Sequence, residues 1–167
     1  MSEYSWEERL PTARQILGAK GEALVTKTLP CPRCKRVKSL KRLPTNFKCA
    51  DVICDFCGYL AQVKTRTTKQ IDVLPSSVPE AAWRVQKERV RAGIYFPLYL
   101  VQMDGRGVCI FYLAADLQQP SMFRMRQPLS ERAKRKGWQG FIHKFDAIPK
   151  GAFVKLLCRL RKPNRSR

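Results

Sequence analysis

Four cysteines stand in two Cys-x₂-Cys pairs, Cys31-Pro-Arg-Cys34 and Cys54-Asp-Phe-Cys57. Each pair forms a tight knuckle that offers two thiolates, and the chain between them can close to bring the pairs together. Four thiolates satisfy tetrahedral Zn²⁺ and leave no open position, so the pattern predicts a structural zinc rather than a catalytic one. Cys49, Cys109 and Cys158 lie outside it. Cys49 could compete as a ligand but lacks a knuckle partner, and Cys109 and Cys158 read as buried apolar thiols.

A second constellation surrounds the second knuckle. Asp51 precedes it, and Gln62-Val63-Lys64 follows it. On a strand, Gln62 and Lys64 share one face because side chains alternate with a period of two. Asp51, at the end of the preceding strand, could then meet them. An acid, an amide oxygen and the carbonyl of Val63 form a set of hard oxygen donors for Mg²⁺. A lysine beside them can orient or deprotonate a water. In outline this is a phosphodiesterase site. The same spacing also fits an exposed strand with solvated ends.

The elements that must position these groups follow from periodicity. Residues 12–27 place Ile16, Ala19, Ala23 and Leu24 at helical spacing behind Pro11. Strands are expected at 51–53 and 59–67, then a connection over 69–79. Residues 80–92 predict a helix stopped by Gly93, with Ala81, Ala82, Val85 and Val90 inward and its charges outward. Strands at 95–103 and 107–114 flank Asp104-Gly105, a hairpin signal. A basic loop or short helix over 124–136 leads to strands near 139–145 and 152–160. His143, the single histidine, has no partner in the sequence and reads as a polar residue on a strand.

The balance of charge points to a partner. With 33 Lys+Arg against 13 Asp+Glu, the net charge is +20 and the pI near 10.2. Such a surplus suits a polyanion, since neutralised phosphates release counterions. The basic stretches 33–48, 124–136 and the tail 159–167 are candidates for phosphate contact. Within the second, Arg132, Lys134, Arg135 and Lys136 precede Trp138, an aromatic that could either approach bases or pack in the core. Forty-four per cent hydrophobic residues argue against a disordered chain. No apolar run is long enough to span a membrane, and the polar N-terminus lacks a secretory pattern.

The order of these motifs resembles the Dam-replacing, DpnI-type family of PD-(D/E)XK restriction endonucleases. There a Cys-Pro-x-Cys knuckle precedes the catalytic Asp, and the second knuckle falls between that Asp and a Glu-x-Lys. Ala13-Arg14-Gln15-Ile16 with Glu22 resembles the family's first helix, and Arg84-Val85-Gln86 resembles the helix after the site. Arg132 to Gly151 follows the late Arg/Lys–Gly–Trp–x–Gly…Pro–x–Gly stretch. The likeness spans about residues 10–158.

The resemblance implies an α/β fold, a PD-(D/E)XK nuclease-like mixed sheet flanked by helices, with an embedded four-Cys zinc module at 31–57. It implies one nuclease domain over 1–167 without the family's C-terminal winged helix. The expected activity is Mg²⁺-dependent hydrolysis of double-stranded DNA, with adenine-methylated GATC as the candidate target. The expected setting is the cytoplasm of a prokaryotic cell, or a phage-encoded role there. Asp51, Gln62 and Val63 would hold Mg²⁺, Lys64 would act on the attacking water, and Trp138 would sense adenine methyl groups. Glu22 either reaches the metal from the first helix or pairs with a nearby lysine. The family's glutamate is Gln62 here, which keeps an oxygen ligand but removes a negative charge. That leaves an alternative: a zinc-containing DNA-binding protein whose nuclease site has decayed. One active centre per chain would require a dimer, or two binding events, to cut both strands.

Overall fold

The structure is a computed structural model, and it describes residues 10–160 except 46, 48, 49 and 147. Trp6, Cys49 and the tail beyond residue 160 therefore lie outside the described residues. Thr12 opens the first helix with a reciprocal cap: Gln15 N–H donates to Thr12 Oγ1 at 3.3 Å, and Thr12 N–H donates to Gln15 Oε1 at 2.7 Å. The helix α1 runs Ala13–Thr28. Its buried line is Gly21 and Val25, four residues apart, whereas Ile16 stays exposed. The face set by Gly21 wins because only a residue without Cβ lets the helix axis approach the sheet there. A Cβ at Gly21 would run into the side chain of Thr65.

The strands are β1 (Leu40–Arg42), β2 (Val52–Cys54), β3 (Leu60–Thr67), β4 (Ser77–Glu80), β5 (Leu98–Met103), β6 (Gly107–Leu113), β7 (Phe123–Met125), β8 (Phe141–Lys144) and β9 (Phe153–Leu160). Six of them form a mixed sheet in the order β1-β2-β3-β5-β6-β9, where β3 and β5 run parallel. Its central strand β5 is buried along nearly its whole length, as a strand covered on both faces must be. Between β5 and β6 the expected hairpin forms. Asp104 Oδ1 accepts from the N–H groups of Arg106 and Gly107 at 2.7 and 2.8 Å, fixing the turn.

A second sheet, β4-β8-β7, was not anticipated. The stretch expected to be a connection and the start of a helix becomes β4, and the helix α2 begins only at Trp83 and ends at Arg91. Ala82, at φ 64° and ψ 65°, turns the chain between them. Gln86 is the residue that α2 buries, while Ala81 and Ala82 are exposed, contrary to the expected inward face. The register of the six-stranded sheet sets Cys109 opposite Cys158 across β6 and β9. The two are joined as a disulfide, which corrects the expectation of separate thiols.

Two apolar clusters divide the core. One gathers Val25, Leu40, Val52, Val63, Tyr99 and Ile110 between α1 and the large sheet. The other gathers Leu98, Leu100, Phe111, Leu113 and Met122 with Val78 and Phe145 from the small sheet's side. The described residues thus form an α/β protein with a mixed sheet, two α-helices and a four-cysteine cluster at one sheet edge.

Candidate functional site

The two knuckles close on one another because β1 and β2 pair directly, Leu40 opposite Cys54. The sulfurs of Cys31, Cys34, Cys54 and Cys57 all lie within 4.8 Å of one another. Cys31 and Cys57 are 3.6 Å apart, and Cys34 and Cys54 are 3.7 Å apart. Tetrahedral Zn–S bonds of about 2.3 Å place sulfurs at nearly this separation, so the donor set fits zinc. Burial pushes the Cys31 thiol up to about 12. Although burial opposes it, hydrogen bonding with Ser39 and with the N–H groups of Cys57 and Phe56 brings Cys54 down to about 6. Asp55, inside the second knuckle, pairs with Lys41 at 3.5 Å.

Asp51 is fixed from three sides. Its N–H donates to Ala61 O at 3.0 Å, its carbonyl accepts from Leu43 N–H at 2.9 Å, and its Oδ2 accepts from Val63 N–H at 2.7 Å. The aspartate before β2 is thereby bound to the strand that carries the lysine. Gln62 and Lys64, on one face of β3, line a cavity of about 240 Å³ with Glu80, Gln86, Arg89 and Phe141. Burial pushes the Asp51 carboxyl above its ordinary range, although the Val63 N–H and the Lys64 charge pull the other way. A cation bound beside it would reverse that balance. Gln62 and Lys64 thus share one cavity, and Asp51 is tied to the same strand through Val63 without lining that cavity itself.

Glu22, on α1, makes an ion pair with Arg42 Nε at 2.9 Å, so its partner is an arginine and not a lysine. Its charge still reaches Lys64 and favours the ammonium form. The acid nearest the lysine is one that sequence reasoning missed. Glu80 Oε2 lies 3.4 Å from Lys64 Nζ, with the Glu80 side chain only 4% exposed. Its Oε1 lies 3.2 Å from His143 Nδ1. Burial alone would raise Glu80, yet Lys64 and His143 together hold it below its ordinary value. Glu80 in turn is the main reason the Lys64 ammonium is favoured against burial. His143, expected to stand without a partner, is instead the brace of this acid.

Trp138 occupies an intermediate position, half buried. Its ring rests over Gly140, whose backbone abuts the carbonyl of Glu80. Trp138 belongs to neither core cluster. Arg132, Lys134, Arg135 and Lys136 are exposed on the preceding loop, and Lys136 is paired with Glu131 at 2.9 Å. Trp83, by contrast, packs against Phe141 at 5.9 Å.

Beyond Lys64 the surface continues as a basic groove. Lys64, Arg66 and Ser77 line one hollow of about 440 Å³. Ser77 also lines a second, of about 560 Å³, with Arg124, Arg126, Gln127 and Lys144. Lys144 pairs with Asp146 at 3.2 Å. Among the described residues, Arg66, Arg124 and Arg126 have no carboxylate within ion-pair distance. No described helix is long and apolar enough to cross a membrane.

The family model of the Dam-replacing family, DpnI, matches residues 6–162, nearly the whole chain. No curated protein matches.

Proposed function

The chain belongs to the Dam-replacing family, and from that premise we propose that it is a restriction-type endonuclease that hydrolyses double-stranded DNA with Mg²⁺. The observation that carries the reading is the bond from Val63 N–H to Asp51 Oδ2, which sets the acid beside the Gln62–Lys64 face. Methylated DNA is the substrate this family membership favours, with adenine-methylated GATC as the candidate sequence.

The oxygen donors suit a hard cation. Asp51 keeps Oδ1 clear of the Val63 bond, the Gln62 amide lines the cavity, and the Val63 carbonyl completes the set. When bound, Mg²⁺ supplies Lewis acidity and charge neutralisation at the scissile phosphate. Lys64 acts on the same phosphate: its ammonium stabilises the developing charge and orients the attacking water. Because Gln62 is neutral, the site holds less negative charge than a paired carboxylate would, and a weaker hold on Mg²⁺ follows. Glu22 is tied to Arg42 and supports Lys64 through its charge, at a distance.

The surrounding surface supports DNA as the ligand. Arg66, Arg124 and Arg126 offer uncompensated charge along the groove from Lys64, and Arg132, Lys134, Arg135 and Lys136 extend it on the loop before Trp138. Trp138, half buried and next to Gly140 beside Glu80, is the aromatic we assign to meet a base rather than a phosphate. Zinc at the four cysteines would hold Asp51 steady, since β2 links the second knuckle to the acid. One centre per chain cuts one strand, so a double-strand break requires a dimer or two encounters.

The test is incubation with Mg²⁺ and matched plasmids, methylated at adenine in GATC or unmethylated, with Lys64→Ala in parallel. Cleavage of the methylated plasmid, lost in the variant, is the expected result. Salt-sensitive DNA binding with no cleavage by either protein would show a DNA-binding protein with a decayed centre.

A further inference from the structure

Glu80 is a charged side chain at 4% exposure, and nothing in the scheme above uses it. Burying a carboxylate costs several kcal/mol unless it is paired and hydrogen-bonded, so a buried acid needs a structural reason. Its two oxygens are divided between two elements. Oε1 meets His143 Nδ1 at 3.2 Å on β8, and Oε2 meets Lys64 Nζ at 3.4 Å on β3. The β4–β8 register, Val78 opposite His143 and Glu80 opposite Phe141, brings the histidine to the acid.

His143 is itself a rigid brace. Its ring stacks on Phe123 with centroids 4.5 Å apart and meets Phe145 edge-on at 4.9 Å. Its Nε2 is buried without a hydrogen-bond partner. An ionised Glu80 accepts from a proton on Nδ1. The carboxylate is thus held by His143 through one oxygen and by Lys64 through the other. Ala82, two residues on, adopts the left-handed conformation that breaks β4 from α2, and it lines the same cavity as Glu80. A strained backbone beside a buried charge is the kind of local cost that persists at working sites.

We propose that Glu80 is a positioning residue of this centre: clamped by His143, it holds the Lys64 ammonium over the face that carries Gln62 and returns the negative charge that Gln62 lacks. The proposal rests on the nuclease reading of Asp51, Gln62 and Lys64. With both oxygens engaged, Glu80 acts through Lys64 and not as a metal ligand. The centre then contains two carboxylates, as a site with a glutamate at position 62 would, but the second is contributed by β4 and reaches the reaction through the lysine.

Four proteins test it: Glu80→Gln, Glu80→Asp, Lys64→Ala and the Glu80→Gln/Lys64→Ala double variant. A misplaced catalytic group costs about 10²-fold in rate. Glu80→Gln should therefore lower kcat by about that factor with KM nearly unchanged, and Glu80→Asp should recover part of the loss. The double variant should cut no more slowly than Lys64→Ala alone. A second readout needs no turnover. In ¹⁵N-lysine NMR of the Mg²⁺-free protein, a slowly exchanging ammonium signal, assigned by its absence in Lys64→Ala, should persist in Glu80→Asp and vanish in Glu80→Gln. If Glu80→Gln does not fold, His143→Gln gives the same readouts with Glu80 retained but unclamped, and a lost Lys64 signal is again expected. Wild-type kcat and an intact signal in Glu80→Gln, with Lys64→Ala inactive, would overturn the role of Glu80 and leave the nuclease reading standing. Undiminished cleavage by Lys64→Ala would remove the nuclease reading and the role of Glu80 with it.

Discussion

The backbone carbonyl of Glu80 lies 2.7 Å from the point where a Cβ on Gly140 would stand, and the ring of Trp138 lies 3.1 Å from it. The acid's strand and the aromatic's loop therefore meet at a residue that has no side chain. Gly140→Ala would force a carbon against a carbonyl that pairing with β8 holds in place. Overpacking of this kind costs about 1–3 kcal/mol. In a protein of this size that is a fall in Tm of roughly 2–4 °C per kcal/mol. Thermal unfolding measures it, and cleavage should fall with it because Glu80 and Trp138 are displaced together. An unchanged Tm would mean that β4 and the Trp138 loop do not meet in this way.

Glu80 also predicts how stability depends on acidity. Its carboxyl is held below the ordinary 4.5 in the fold, burial being outweighed by Lys64 and His143. A carboxyl lowered on folding stabilises the protein above its unfolded value, and that contribution is lost as pH falls through the folded value. The groups facing it are Lys64 from β3 and His143 from β8, with Asp51 near enough to be affected by its charge. The wild type should therefore lose more stability than Glu80→Gln between neutral pH and about pH 3, the unfolded carboxyl titrating near 4. Tm measured across that range for both proteins checks it, and parallel curves would contradict it.

What could be read from the sequence, and what could not, divides along the line between local and distant pairing. The cysteine knuckles and the Gln62–Lys64 alternation are short-range patterns, and both are where spacing put them. Glu80 was hidden because its strand has only a distant partner, β8, and carries Pro79, a residue that argues against a sheet interior. Pro79 is tolerated because β4 is the edge of its three-stranded sheet. The charged, helix-like run that follows then drew Glu80 into the helix, where it would have faced solvent. The one available sign was the combination of an acid two residues after Val78 and a lone histidine, each too weak alone to pair them. The Cys109–Cys158 pairing was hidden for the same reason, since it depends on the β6–β9 register.

The cysteine cluster sets a prediction about folding. The four sulfurs are close enough to bind a metal, and a metal that binds only the folded state adds its binding energy to stability. Elemental analysis should find one zinc per chain. Cys34→Ala should lose it and unfold at lower temperature, and chelation of the wild type should produce the same shift. Because Asp51 lies three residues before Cys54 and is bound to β3, zinc loss should also abolish cleavage in excess Mg²⁺. A chelated protein with unchanged Tm would show that the cluster holds no structural metal.

The groove beyond Lys64 predicts a salt dependence. Arg124 and Arg126 lie on or beside β7, both exposed, and line the hollow that shares Ser77 with the one containing Lys64. An arginine without a carboxylate partner gives its full charge to a phosphate, and each contact releases roughly one counterion. Each change to alanine should therefore weaken DNA binding to a similar extent on any sequence. It should also reduce the slope of log K against log salt by about 1. Lys136, already paired with Glu131, should change that slope less. Binding titrations with a short duplex in Ca²⁺, from low to moderate salt, compare the three variants. Equal slopes for Arg126→Ala and the wild type would place the DNA away from this groove. A loss restricted to methylated duplex would mean that Arg126 acts on the reading of the base and not on the backbone.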